Sequence, residues 1–179
     1  MNTRCQHGFN LLEMMAALAV LGTLLAMGVP AFTQMIRNNR VVADTNELVV
    51  ALSVARSEAV KRGLPAAVCA RSGPTSDECR TGTDNDWSNG WLVFADPAGT
   101  AGVIDAGDEI LQRFAAAPAG VSVLTNDRPV VRFAATGLPP TGAGDTTFTI
   151  KHTACTDNNR RTVKITATGR LHTSKRACS

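Results

Sequence analysis

The chain has 179 residues, 18 Lys and Arg against 15 Asp and Glu, a net charge of +3 and no tyrosine. That length leaves room for one folded domain of ordinary size plus a short extra segment, and the lack of any internal repeat excludes a repeat array. With the charges nearly balanced, their position along the chain carries more information than their sum.

From Met14 to Phe32 no residue carries a charge, and at ~1.5 Å rise per residue a helix of that length crosses the hydrocarbon core of a bilayer. The pattern predicts one membrane helix. Its unusual feature is Glu13, an acid already inside the apolar run, with no Lys or Arg within helical reach on its own chain. An ionised carboxylate there is costly unless it finds a partner, and a partner from another molecule is the simplest solution. A free α-amine would serve, if the chain were cut between Gly8 and Phe9. An ordinary secretory signal fits poorly, because the leader holds one Arg, Arg4, and the apolar core opens on an acid. Arg37 and Arg40 just beyond the span leave the charge rule for orientation ambiguous.

The stretch GFNLLEMMAALAVLGTLLAMGVPAF, from Gly8 to Phe32, resembles the class III signal and N-terminal helix of type IV pilins and type II secretion pseudopilins. The resemblance implies that residues 1–8 are a prepilin leader and that a prepilin peptidase cuts after Gly8 and methylates the new Phe9 amine. Glu13 would then meet that amine on a neighbouring subunit. It further implies that residues 9–36 form the membrane-spanning and filament-core half of a helix. Residues 37–179 would form a periplasmic domain of a single-pass protein of the bacterial inner membrane, which later joins a pilus or pseudopilus. The implied partners are other pilins or pseudopilins.

Beyond Pro30, which should kink the span for want of a donor, the helical period continues. Val41, Thr45, Leu48, Leu52, Ala55 and Ala59 fall on one stripe, with Arg40, Asp44, Glu47 and Glu58 largely off it. Arg40 with Asp44, and Glu58 with Arg62, stand four apart and support the exposed face. Gly63 and Pro65 stop the helix. After it the period changes to two. Strands are expected over 66–71, 90–96, 109–114, 120–124, 129–134, 146–152 and 162–168, each rich in Val, Ile, Thr or Phe and bounded by turn residues. Strand following strand argues for an antiparallel sheet packed on the helical stripe, an α+β class; the resemblance implies a type IV pilin-like fold.

Gly90-Trp91-Leu92-Val93-Phe94-Ala95-Asp96, followed at Asp105 by an acidic turn and another strand, is similar to the GspH/FimT branch of minor pilins. Thr168-Gly169-Arg170 resembles that branch's C-terminal strand. Trp91 and Phe94 read as core residues rather than a ligand box.

Cys5 falls in the expected leader, which leaves Cys69, Cys79, Cys155 and Cys178. Four cysteines allow three pairings; adjacency favours Cys69 with Cys79 and Cys155 with Cys178, and pairing implies an oxidising compartment. A zinc site using His152, Cys155, His172 and Cys178 lacks a second tight pair. Asp84, Asp86 and Ser88 alternate as in a calcium loop, but Asn89 and Ala95 stand where an EF-hand needs Gly and an acid, so a turn is expected. No nucleophile motif or phosphate loop appears, and the three histidines form no triad spacing, so a non-enzymatic protein without a cofactor is expected.

Residues 77–109 hold eight acids against Arg80 alone, whereas 150–179 hold seven cations against Asp157 alone. Such a basic end is the electrostatic footprint expected for a phosphate backbone. Some FimT proteins bind DNA through a C-terminal Gly-Arg-x-Arg motif. Here Gly169-Arg170-Leu171-His172 matches its Gly and first Arg and has His in place of the second. The residues that would carry sequence-independent capture of double-stranded DNA, as in natural transformation, are Arg160, Arg161, Arg170, His172, Lys175 and Arg176. A solvated face, or a surface for the acidic flank of a neighbouring pilin, is the alternative.

Overall fold

A computed structural model describes residues 10–97, 100, 102–126, 129–140 and 144–178. The chain divides into two compact units, Met1–Arg37 and Asn38–Ser179. One helix, α1 (Leu11–Arg62), contributes to both and carries Pro30 in its interior. The helix continues across the proline, although Pro30 has no N–H to donate to the preceding turn.

In the first unit the helix is long and apolar enough to cross a membrane, and none of its most apolar window is buried within the chain. Leu11, Leu18, Leu24, Met27 and Phe32 are all exposed. A helix that is apolar all round needs lipid or other helices to cover it.

In the second unit the predicted stripe is the buried one, with Val41, Leu48, Leu52, Ala55 and Ala59 at 1% exposure or less. Asp44 departs from the expectation. It lies on the buried stripe rather than the exposed face, with its Oδ2 enclosed and unpartnered, and no ion pair joins it to Arg40 among the described residues. Position 44 is three after Val41 and four before Leu48, so the helical period itself carries it inward. Glu58 does meet Arg62, at 2.8 Å, and Arg62 reaches on to Glu109 at 2.5 Å. Gly63, at φ 64°, ends the helix in the left-handed conformation that glycine adopts without penalty.

Among the described residues, eight strands follow in two antiparallel sheets. The first has the order β3-β2-β1-β5, built from β1 (Ala66–Ala70), β2 (Trp91–Ala95), β3 (Glu109–Arg113) and β5 (Val130–Phe133). The second has the order β4-β6-β7-β8, built from β4 (Val121–Thr125), β6 (Thr146–His152), β7 (Arg160–Ile165) and β8 (Leu171–Arg176). Strands β1 and β2 are buried on both faces, and alternation sorts their side chains into two cores. Val68, Trp91 and Val93 join the large core with the helical stripe, where Trp87 meets Phe148 edge-on at 4.8 Å and Trp91 stacks on Phe114 at 5.7 Å. Ala67, Cys69, Leu92 and Phe94 form the smaller core on the other face with Cys79. Trp91 and Phe94 are therefore packing residues.

The seventh expected strand ends at Ile165 rather than residue 168, and an eighth, outside the seven expected, follows as Leu171–Arg176. Thr168-Gly169-Arg170, expected in a strand, instead forms the turn before β8. Gly169 has φ 71°, its N–H donates to the Thr166 carbonyl at 2.8 Å, and the Thr166 N–H donates to the Arg170 carbonyl at 3.1 Å. Strand β8 carries almost no apolar alternation because it is an edge strand, exposed from His172 to Arg176.

Candidate functional site

Three regions could carry function: the N-terminal helix, the acidic loops of the first sheet and the basic hairpin of the second. Gly8 and Phe9 lie outside the described residues, while Glu13 stands in the first turn of α1, where a carboxylate suits the positive end of the helix dipole.

The acidic stretch looks different in three dimensions from its sequence count. Arg113 grips Asp77 with two parallel bonds of 2.9 Å, Arg80 pairs with Asp84, Arg62 with Glu109, and Arg132 with the fully buried Asp96 at 2.6 Å. Most of these arginines come from 36 to 47 residues away in sequence, which is why a linear count of charge missed them. The Arg113 side chain holds Asp77 below its ordinary range. Asp84 is lowered first by the Asp86 amide and then by Arg80. Asp96 goes the other way: burial raises it, against the Gly102 amide and Arg132.

The Asp84-Asp86-Ser88 stretch folds as consecutive side-chain-capped turns. Asp84 Oδ1 accepts the Asp86 N–H at 3.0 Å and Asp86 Oδ1 accepts the Ser88 N–H at 2.9 Å. No group of three His, Cys, Asp or Glu among the described residues is placed to hold a metal ion.

The basic hairpin is the opposite case. Strands β7 and β8 pair Arg160 with Arg176, Arg161 with Lys175 and Lys164 with His172. Like charges set directly opposite one another cost stability unless an anion lies between them. Lys164 has Asp145 at 2.7 Å. Arg161, Arg170, Lys175 and Arg176 have no ion pair among the described residues, and the last three are exposed. Disulfides join Cys69 to Cys79 and Cys155 to Cys178, with Cα atoms 5.5 and 5.8 Å apart. The second fastens the end of β8 to the loop before β7, where the Cys178 N–H also donates to the Asp157 carbonyl at 2.8 Å. The zinc reading fails here, because Cys155 and Cys178 spend their sulfurs on each other. Sequence reasoning found the cations of this hairpin but not the strand that arranges them. The one available signal was the turn glycine, Gly169.

A long apolar helix on an α+β domain of two antiparallel sheets defines the architecture of the type IV minor pilins. Two crystal forms of the minor pilin FimU of Pseudomonas aeruginosa share this fold. One superposes with a TM-score of 0.58 at 23% identity over 80% of this chain and 92% of FimU, the other with 0.52 at 23% identity over 72% and 88%. The family described as "Type II transport protein GspH" matches residues 44–169, and the chain belongs to that family. No curated protein matches the sequence itself.

Proposed function

We propose that this chain is a minor pilin or pseudopilin that helps assemble a type IV pilus or a type II secretion pseudopilus through its apolar helix. The carrying observation is the helix of the first unit, apolar on every side and unburied by its own chain, with one acid in its first turn. Lipid of the inner membrane covers that surface before assembly, and the helices of other subunits cover it afterwards. Ala16, Ala19, Gly22 and Ala26 permit close approach between helices. In this reading a prepilin peptidase removes residues 1–8, the domain faces the periplasm, and Glu13 sets register by pairing with the Phe9 amine of a neighbour. Glu13→Ala is expected to leave the melting of the folded domain unchanged while sharply lowering recovery in sheared filaments. Wild-type recovery by that variant, or mass spectrometry showing residues 1–8 still attached in cells, would end the proposal.

A second reading is favoured by the hairpin. Four of the acids around the first sheet are paired with arginines of the same chain, whereas Arg161, Lys175 and Arg176 of β7 and β8 have no ion pair among the described residues. On this reading the assembled subunit captures double-stranded DNA, without sequence preference, through a subset of the side chains Arg160, Arg161, Arg170, His172, Lys175 and Arg176. Binding should weaken with added salt and with Arg170→Ala; indifference to both would remove it.

A further inference from the structure

The six residues of that second reading do not share one surface. In β6, Phe148 and Ile150 are buried, and in β7 so are Val163 and Ile165. Successive side chains of a strand point to opposite faces, and the register from β6 through β7 to β8 runs without a shift. Arg161 and Lys175 therefore fall on the same side as Val163, at the margin of the core. Arg160 and Arg176 fall on the opposite, solvent side. Thr149 pairs with Thr162 and Thr162 with Ser174, which sets three hydroxyls in a row across that outer face. The Thr162 and Ser174 hydroxyls are already 2.7 Å apart. In the adjacent row, Lys151 falls in line with Arg160 and Arg176, since Ile150 faces Arg161. The three strands contain no Asp or Glu.

We infer that the duplex-binding surface is this outer face of β6, β7 and β8, with Lys151, Arg160 and Arg176 on the phosphates and the Thr149-Thr162-Ser174 row hydrogen-bonding to the backbone. Arg161 and Lys175 lie outside it. The inference rests on the second reading above and assigns its site. With strands about 4.8 Å apart, a row of three cations spans about 10 Å, enough to meet several phosphates of a duplex carrying one charge per ~1.7 Å. Hydroxyls and cations contact phosphate and sugar, and no aromatic side chain follows the buried Phe148, so the contact is with the backbone rather than with bases.

The test holds the charge loss constant and changes only the face. Full-length oxidised chain in non-ionic detergent is titrated onto a fluorescent 30-base-pair duplex at two salt concentrations. The double variant Arg160→Gln with Arg176→Gln is expected to weaken binding at least tenfold and to lower the salt slope by about 2, the loss of two phosphate contacts. Arg161→Gln with Lys175→Gln removes the same charge and is expected to change affinity less than threefold. Ser174→Glu, which keeps every cation at an exposed position, is expected to weaken binding at least tenfold and stands in should the first double variant unfold. Equal losses from the two double variants, or a full-strength Ser174→Glu, would overturn the face assignment. No binding by the wild-type chain would instead remove the reading on which it rests.

Discussion

Asp44 is the residue at which local chemistry and fold disagree most. Burial, with a smaller push from Glu47, raises its carboxyl from 3.8 to about 6. Between those two values the folded state holds a proton that the unfolded chain has released, so stability declines as pH rises from about 4 to beyond 6. The carboxylates lowered by Arg partners, such as Asp77 and Glu58, act with the opposite sign and lose their contribution as pH falls. Comparison of wild type with Asp44→Asn isolates the one term. The variant is expected to be more stable at pH 8 by on the order of 2 kcal/mol, with the difference vanishing near pH 4, by denaturant melts across that range. A neighbouring contrast is Gly90, at φ 90°, where an added Cβ would lie 2.5 Å from the Phe114 carbonyl. Only glycine lets β2 start so close to the backbone that follows β3.

Among the elements, β8 depends most on covalent help. It has one neighbouring strand, an exposed run of polar side chains and like charges across from it. The Cys155–Cys178 disulfide closes a loop with a sequence separation of 23 and fixes the strand's end. Chain-entropy arguments assign such a loop about 3 kcal/mol. Replacing both cysteines by serine is expected to lower stability by up to that amount. It should also raise hydrogen exchange in the β8 amides before those of β1 and β2, which are buried on both faces. Equal protection of β8 with and without the disulfide would show that the ladder alone suffices. Arg56 adds a second tie at the other end, donating to the Gly169 carbonyl at 2.6 Å.

At the scale of the whole molecule, the chain joins a unit that cannot hide its apolar surface to one that can. The second unit carries the helical stripe, both sheets and both disulfides. A fragment beginning at Asn38 is therefore expected to stay soluble and monomeric without detergent and to melt as the domain of the full chain does. Calorimetry and light scattering check this. Aggregation of the fragment would mean that the upstream helix contributes to the domain's stability.

How much of this was legible follows from the range of each interaction. The apolar run, the helical stripe and the change of period at Gly63 are local patterns written at spacings of two to four residues, and they fixed the class, the anchor and seven of the strands. Neighbouring cysteines likewise suggested the pairs that the structure contains. Three features depended on distant partners. Asp44 sits at a helical position facing the stripe, but its burial needs the core that packs over that stripe. Three acids of the acidic loops found arginines 36 to 47 residues away, on α1, β3 and β5. Strand β8, with no apolar face of its own, became a strand only because β7 offered it a ladder and Cys155 a tether. Sequence alone determined what must be covered, since hydrophobic periodicity is a property of adjacent residues. Tertiary structure decided which charges remain uncovered, since pairing is a matter of distances that the linear order does not contain.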